Sequence, residues 1–142
     1  MKTHFYKHLH LLLYLMVVLF TLGCNDKDCH KEIGIINNSN KSIYIFEYTF
    51  YPDTTMMTYN NPFPGNPHYK TLPHTENYIQ SRDCFESFMT HPQADTSMIF
   101  IFDANVIETV PWDTIRAKYL VLKRYDMSLM DLENMNWTIT YP

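Results

Sequence analysis

The sequence predicts a mainly β domain, α+β toward its C-terminal end, with an antiparallel β-sandwich-like architecture and two short helices. Three observations lead there. Residues 42–51 (SIYIFEYTFY) alternate aromatic with aliphatic or polar side chains at the two-residue period of a strand. Residues 97–103 (SMIFIFD) form a short apolar run, rich in β-branched and aromatic residues, of the length of a buried strand. Turn-forming residues recur between such runs, and helix-start chemistry is found at only two places.

Residues 32–37 (EIGIIN) are the first β-like run, and Asn38, Ser39, Asn40 and Lys41 supply side chains that tolerate a tight turn. This run and residues 42–51 are therefore expected to pair as an antiparallel hairpin. In the second run Tyr44, Phe46, Tyr48 and Phe50 share one face, and Ile43, Ile45, Glu47 and Thr49 the other. Both faces are partly apolar. That suits a central strand with the aromatic row in the core; an exposed aromatic platform for a sugar or peptide is the alternative.

Residues 52–75 differ in character. Pro52, Pro62, Pro64, Pro67 and Pro73 remove amide donors and fix φ, which excludes a central strand over residues 59–69. The resulting long loop carries Tyr59, Phe63, His68 and Tyr69 beside Asn60, Asn61 and Asn66. Rigid aromatics mixed with adaptable amides are what binding loops use, so these four residues are the candidate interaction site for a protein or glycan partner. The competing role is a linker that covers a sheet edge.

Residues 76–82 and 83–89 read as a strand and a turn around Cys84. Pro111 can open a short helix over residues 112–118, because the first turn needs no amide donor there. Residues 119–125 (YLVLKRY) return to strand, with Lys123 and Arg124 marking an exposed edge. Ser128 followed by Asp131 is a helix-start signature, and Leu129, Leu132 and Met135 give that helix an apolar side. Residues 137–141 (WTITY) close the chain as a strand.

The N-terminal stretch sets the expected address. Residues 9–22 are apolar apart from His10 and Thr21, short of the roughly 20 apolar residues a membrane-crossing helix needs. Lys2 and Lys7 form a positive flank, and small Gly23 precedes Cys24, so residues 1–23 read as a signal peptide cleaved before Cys24. The Gly23-Cys24 junction resembles the lipobox of bacterial lipoproteins, with Thr21 where Leu is commonest and Leu22 where a smaller residue is usual. The resemblance implies that Cys24 is lipidated, and that the protein is held to the membrane through this lipid. An uncleaved anchor helix, or a non-lipid signal, is the alternative. Two or three acyl chains on one Cys hold durably, since each buried methylene contributes roughly 0.8 kcal/mol. Asp26 and Asp28 resemble the acidic signal that sends lipoproteins of Bacteroidota to the outer face of the outer membrane; a periplasm-facing location is the alternative. Residues 24–31, polar and charged, then read as a flexible tether, and residues 32–142 as one globular domain.

Residues 100–142 also resemble the C-terminal part of small lipoproteins of Bacteroidota whose activity is unassigned, through their Phe-Asp, Trp-Asp-x-Ile, Leu-Lys-Arg-Tyr-Asp and Asn-Trp-Thr-Ile-Thr-Tyr-Pro elements. No catalytic role follows from that likeness. Asp53-Thr54-Thr55 resembles the Asp-Thr-x pattern of O-glycosylation in that group and nominates Thr54, with Thr114 in Asp113-Thr114-Ile115 a second candidate.

Charge and motif content narrow the chemistry. Without Lys2 and Lys7 the chain keeps nine basic and 15 acidic side chains, a net charge of about −6, which argues against nucleic acid as a partner. With Cys24 acylated, Cys29 and Cys84 are left as one potential disulfide in an oxidising compartment, or as two free thiols. His30, His68, His74 and His91 lack metal-ligand spacing, so no metal or other cofactor is expected. Only Gly34 and Gly65 follow the leader, too few for a phosphate cradle, and no Gly-x-Ser-x-Gly elbow occurs. A Cys84–His91 nucleophile and an Asp103–Asp113 carboxylate pair beside Trp112 are the remaining catalytic readings. The expectation is a non-enzymatic, lipid-anchored binding module, set against a small hydrolase or inhibitor-like accessory factor and a purely structural envelope component.

Overall fold

The computed structural model describes residues 29–49, 51–52, 64–90 and 95–142. Cys24, Phe50, Thr54, Tyr59, Phe63 and His91 lie outside them. The described residues form seven strands in two sheets, with four short helices: a mainly β, two-sheet domain. The strands are β1 (Glu32–Asn37), β2 (Ile43–Tyr48), β3 (Lys70–Thr71), β4 (Thr75–Gln80), β5 (Thr96–Asp103), β6 (Lys123–Ser128) and β7 (Thr138–Tyr141). The helices are α1 (Phe85–Met89), α2 (Ala104–Thr109), α3 (Trp112–Ala117) and α4 (Leu129–Asn134). No helix among the described residues is long and apolar enough to cross a membrane.

One sheet has the order β4-β1-β7 and the other β3-β2-β5-β6. The larger sheet is buried on both faces, which accounts for its two apolar strands. Ile43 and Ile45 of β2 and Ile99 and Ile101 of β5 pack against Ile33 and Ile35 of β1, together with Phe85, Leu132, Trp137 and Ile139. Tyr44, Met98, Phe100 and Phe102 project from the opposite face onto Ile107 of α2 and Ile115 of α3. The aromatic face of β2 is thus in a core, with Tyr44 fully buried and Phe46 and Tyr48 packed at its margin.

The expected β1–β2 hairpin is not formed. Both edges of β1 are occupied, by β4 antiparallel and by β7 parallel, so residues 38–42 carry the chain from one sheet to the other. The two strands face each other across the core. The buried Asn37 side chain fixes this arch: its amide donates to the carbonyls of Lys41 (2.7 Å) and Leu72 (3.0 Å), and its Oδ1 accepts from the Ser39 amide and hydroxyl (3.1 and 2.7 Å). The β1–β7 pair also departs from the all-antiparallel expectation.

Other boundaries move for identifiable reasons. Residues 119–122 are not strand, because Tyr119 is left-handed (φ 48°) and the amides of Leu120 and Val121 bond back to Ile115 and Tyr119. The segment after Cys84 is helix α1, and α2 begins directly at the end of β5, where Asp103 accepts from the Asn105 amide at 2.9 Å. Four helices therefore stand where two were expected. The Ser128–Asp131 start of α4 is a full capping box. Arg124, on edge strand β6, is held by Asp126 and lies 5.7 Å over the Phe100 ring.

Cys29, His30 and Lys31, the described part of the stretch expected to be a tether, are tied to the domain. Cys29 is bridged to Cys84 (Cα–Cα 5.0 Å), the His30 carbonyl accepts from the Phe85 amide at 2.8 Å, and that of Lys31 from the Ser81 amide at 2.8 Å.

Candidate binding recess at the edge of β2

The neighbour of β2 on its outer side is too short to cover it. Strand β3 pairs only at Ile43↔Thr71 and Tyr44↔Lys70, and one further bond joins the Ile45 amide to the Tyr69 carbonyl at 2.8 Å. Beyond that point β2 runs on past its partner. A turn at Leu72–His74, with His74 left-handed (φ 56°), then brings the chain back as β4 in the other sheet. A recess of about 330 Å³ lies where the sheets part. Strand β2 contributes Ile45, Phe46 and Glu47, the loop leading into β3 His68 and Tyr69, and β4 Tyr78, Ile79 and Gln80.

Local hydrogen bonds set the loop. Gly65 takes a left-handed φ of 83° that suits a residue without Cβ, and its amide donates to the Tyr44 hydroxyl at 2.7 Å. Asn66 Oδ1 accepts from the His68 amide at 3.0 Å, and the Asn66 carbonyl accepts from the Tyr69 amide at 3.2 Å. Asn77 of β4 donates its side-chain amide to the carbonyls of His68 and Lys70, both at 3.2 Å. The loop is thereby fastened to β4. On the opposite wall Tyr78 donates to Glu76 at 3.1 Å, and Gln80 to Glu32 at 3.0 Å.

Among the described residues that line the recess, Glu47 is the one acidic group. Its Oε1 accepts from the Ser97 hydroxyl at 2.9 Å. Burial pushes the carboxyl above its ordinary value, and the Ser97 hydrogen bond only partly opposes this. Among the described residues of the lining there is no Lys or Arg. The same recess is lined by the aromatic residues Phe46, His68, Tyr69 and Tyr78, residue types able to stack on a ligand.

Two of the four loop residues nominated by the sequence, His68 and Tyr69, thus line one recess. Tyr59 and Phe63 fall outside the described residues. Sequence reasoning missed Glu47, Tyr78 and Gln80 as partners of that loop. One signal was available: Glu47 is the only charged residue in SIYIFEYTFY.

The catalytic alternatives meet other fates. Cys84 is in a disulfide and is no thiol nucleophile. Asp103 caps α2 and pairs with Lys41 at 3.1 Å; burial raises its pKa, but Lys41 and the helix amides outweigh this and hold it low. Asp113 is 88% exposed and paired with Arg116 along α3. Each carboxylate has its own cation. A second, wider groove of about 480 Å³ is lined by Lys41, Lys70, Asp103 and Glu108. Its charges neutralise one another, with Glu108 accepting from Lys70 at 2.6 Å and from the Tyr44 hydroxyl at 3.0 Å. Thr114 is half-buried within α3. Among the described residues no group of three or more His, Cys, Asp or Glu is placed to hold a metal.

No family model, no curated protein and no solved structure matches this chain.

Proposed function

We propose that this protein is a non-enzymatic binding module of the cell envelope, lipid-anchored at Cys24 and displayed on the outer membrane surface. It takes a protein or glycan partner into the recess between β2 and β4. The observation that carries this reading is a recess beyond the end of β3, whose described lining includes Phe46, His68, Tyr69 and Tyr78 together with Glu47. Aromatic rings give contact area at low entropic cost, and one carboxyl gives orientation.

The test pairs binding with address. The purified full chain is screened against immobilised glycan and peptide panels beside the double variant Tyr69→Ala/Tyr78→Ala. Retained thermal stability with lost capture supports the recess; no capture by the native chain, or equal capture by both, overturns it. Protease shaving of intact cells, with Cys24→Ala as control, tests the anchor. Degradation of the native form from outside supports surface display, and its protection assigns the periplasmic face.

A further inference from the structure

We propose that β6 is the surface through which two copies of this chain associate: their β6 strands pair antiparallel about a two-fold axis at Tyr125, so that Arg124 of each copy faces the partner's Asp126. This surface is separate from the recess and does not depend on it.

A free edge is the first argument. The Ala104 amide donates to the Ser42 carbonyl at 3.0 Å, so even-numbered residues of β2 and β5 bond one another, and Ser97, Ile99 and Ile101 turn their backbone groups to β6. Their partners there are Met127, Tyr125 and Lys123. The amides and carbonyls of Arg124 and Asp126 therefore point out of the sheet, and no described residue bonds them. Other edges are blunted. Strand β3 has two residues, the outward Thr140 carbonyl of β7 accepts from the Tyr125 hydroxyl, and the outward Tyr78 amide of β4 is taken by Asn77 Oδ1. Ser128 closes the usable stretch of β6, since its amide bonds Asp131 in the capping box.

Charge complementarity is the second argument, and it selects a second copy as the occupant. Identical strands pairing antiparallel meet across a two-fold axis, and only Arg124 and Asp126 offer outward backbone groups, so the axis falls at residue 124, 125 or 126. At 124 two guanidinium groups face each other, and at 126 two carboxylates. At Tyr125 every Arg124 faces an Asp126, and each such pair exchanges both of its main-chain hydrogen bonds. The side chains are placed for this register. Arg124 and Asp126 share the face over Phe100, joined through Nη2 and Oδ2 at 2.9 Å, with guanidinium donors and carboxylate lone pairs to spare. Both remain partly exposed. The same register runs the end of β6 that follows exposed Leu120 and Leu122 beside the end that leads to the partner's exposed Met130.

Amide exchange in the native full chain in detergent tests the edge without any substitution. The Arg124 and Asp126 amides should exchange at least about tenfold more slowly at about 200 μM than at about 2 μM, with the outward Gln80 amide of β4 unchanged. Sedimentation equilibrium in density-matched detergent tests the register. Arg124→Asp and Asp126→Arg should each weaken the dimer about tenfold or more, because each sets like charges across the axis. An equimolar mixture of the two variants should recover the native association, since every facing pair is again opposite in sign. Exchange at Arg124 and Asp126 that is independent of concentration overturns the proposal. So does a dimer that both substitutions leave intact, or a mixture no tighter than either variant alone. Where near-UV circular dichroism shows that a variant has not folded, the exchange of the native chain decides.

Discussion

The His30 imidazole lies flat on the Trp137 indole, with ring centroids 4.1 Å apart and planes 11° from parallel. Glu86 accepts from both the ring and the backbone amide of His30. Burial alone raises the Glu86 pKa, but those hydrogen bonds and that of its own amide together hold the carboxyl below its ordinary value. One residue thus links the start of the domain to α1 and to the approach to β7. His30→Ala removes the stack and the ring hydrogen bond but keeps the backbone bond, so a loss of about 1 kcal/mol is expected in urea denaturation. An unchanged midpoint means the stack contributes nothing.

The Cys29–Cys84 bridge spans 55 residues of sequence. Closing such a loop restricts the unfolded chain, and the chain-entropy account gives roughly 4 kcal/mol. Cys29→Ser/Cys84→Ser should lower the melting temperature strongly, and reductant should shift the native protein to the same value. A native protein indifferent to reductant contradicts this.

Glu47 gives a pH signature with a definite sign. Its folded pKa lies above the ordinary 4.5, so its contribution to stability is fully present below 4.5 and is lost as pH rises through the folded value. Glu47→Gln, neutral at every pH, should therefore be more stable than the native chain at neutral pH. The advantage should vanish below about pH 4. Melting curves of both proteins across that range check it, and a gap that widens on acidification reverses the sign.

Asn37 holds the arch between the sheets through carbonyls of Lys41 and Leu72. Asn37→Ala leaves these groups without their donor in a buried setting and should cost about 2 kcal/mol. Asn38→Ala, at the exposed neighbouring position, should cost little by the same denaturant titration.

Residue patterns made parts of this fold legible. Two apolar faces on residues 42–51 and the continuous apolar run of residues 97–103 identify strands buried on both sides, and β2 and β5 are the two central strands of the larger sheet. Pro111 and the Ser128–Asp131 box mark α3 and α4, because helix starts are written in side chains adjacent in sequence. The loop of residues 52–75 was distinguishable by its prolines, and His68 and Tyr69 were nominated within it.

What failed was partner choice. Residues 38–41 serve a hairpin or an arch equally well; both edges of β1 are taken by β4 and β7, which lie far along the chain, and this makes it an arch. Helix α2 was hidden because Asp103 ends β5 and caps the helix at once, leaving no intervening turn. The recess is of the same kind. Sequence alone determined a lone acid in an aromatic strand and an aromatic loop some twenty residues later, since local periodicity and proline content are properties of neighbours. Only the tertiary structure brought Glu47, Tyr69 and Tyr78 around one recess, because that depends on β3 stopping after two residues and on β4 crossing to the other sheet.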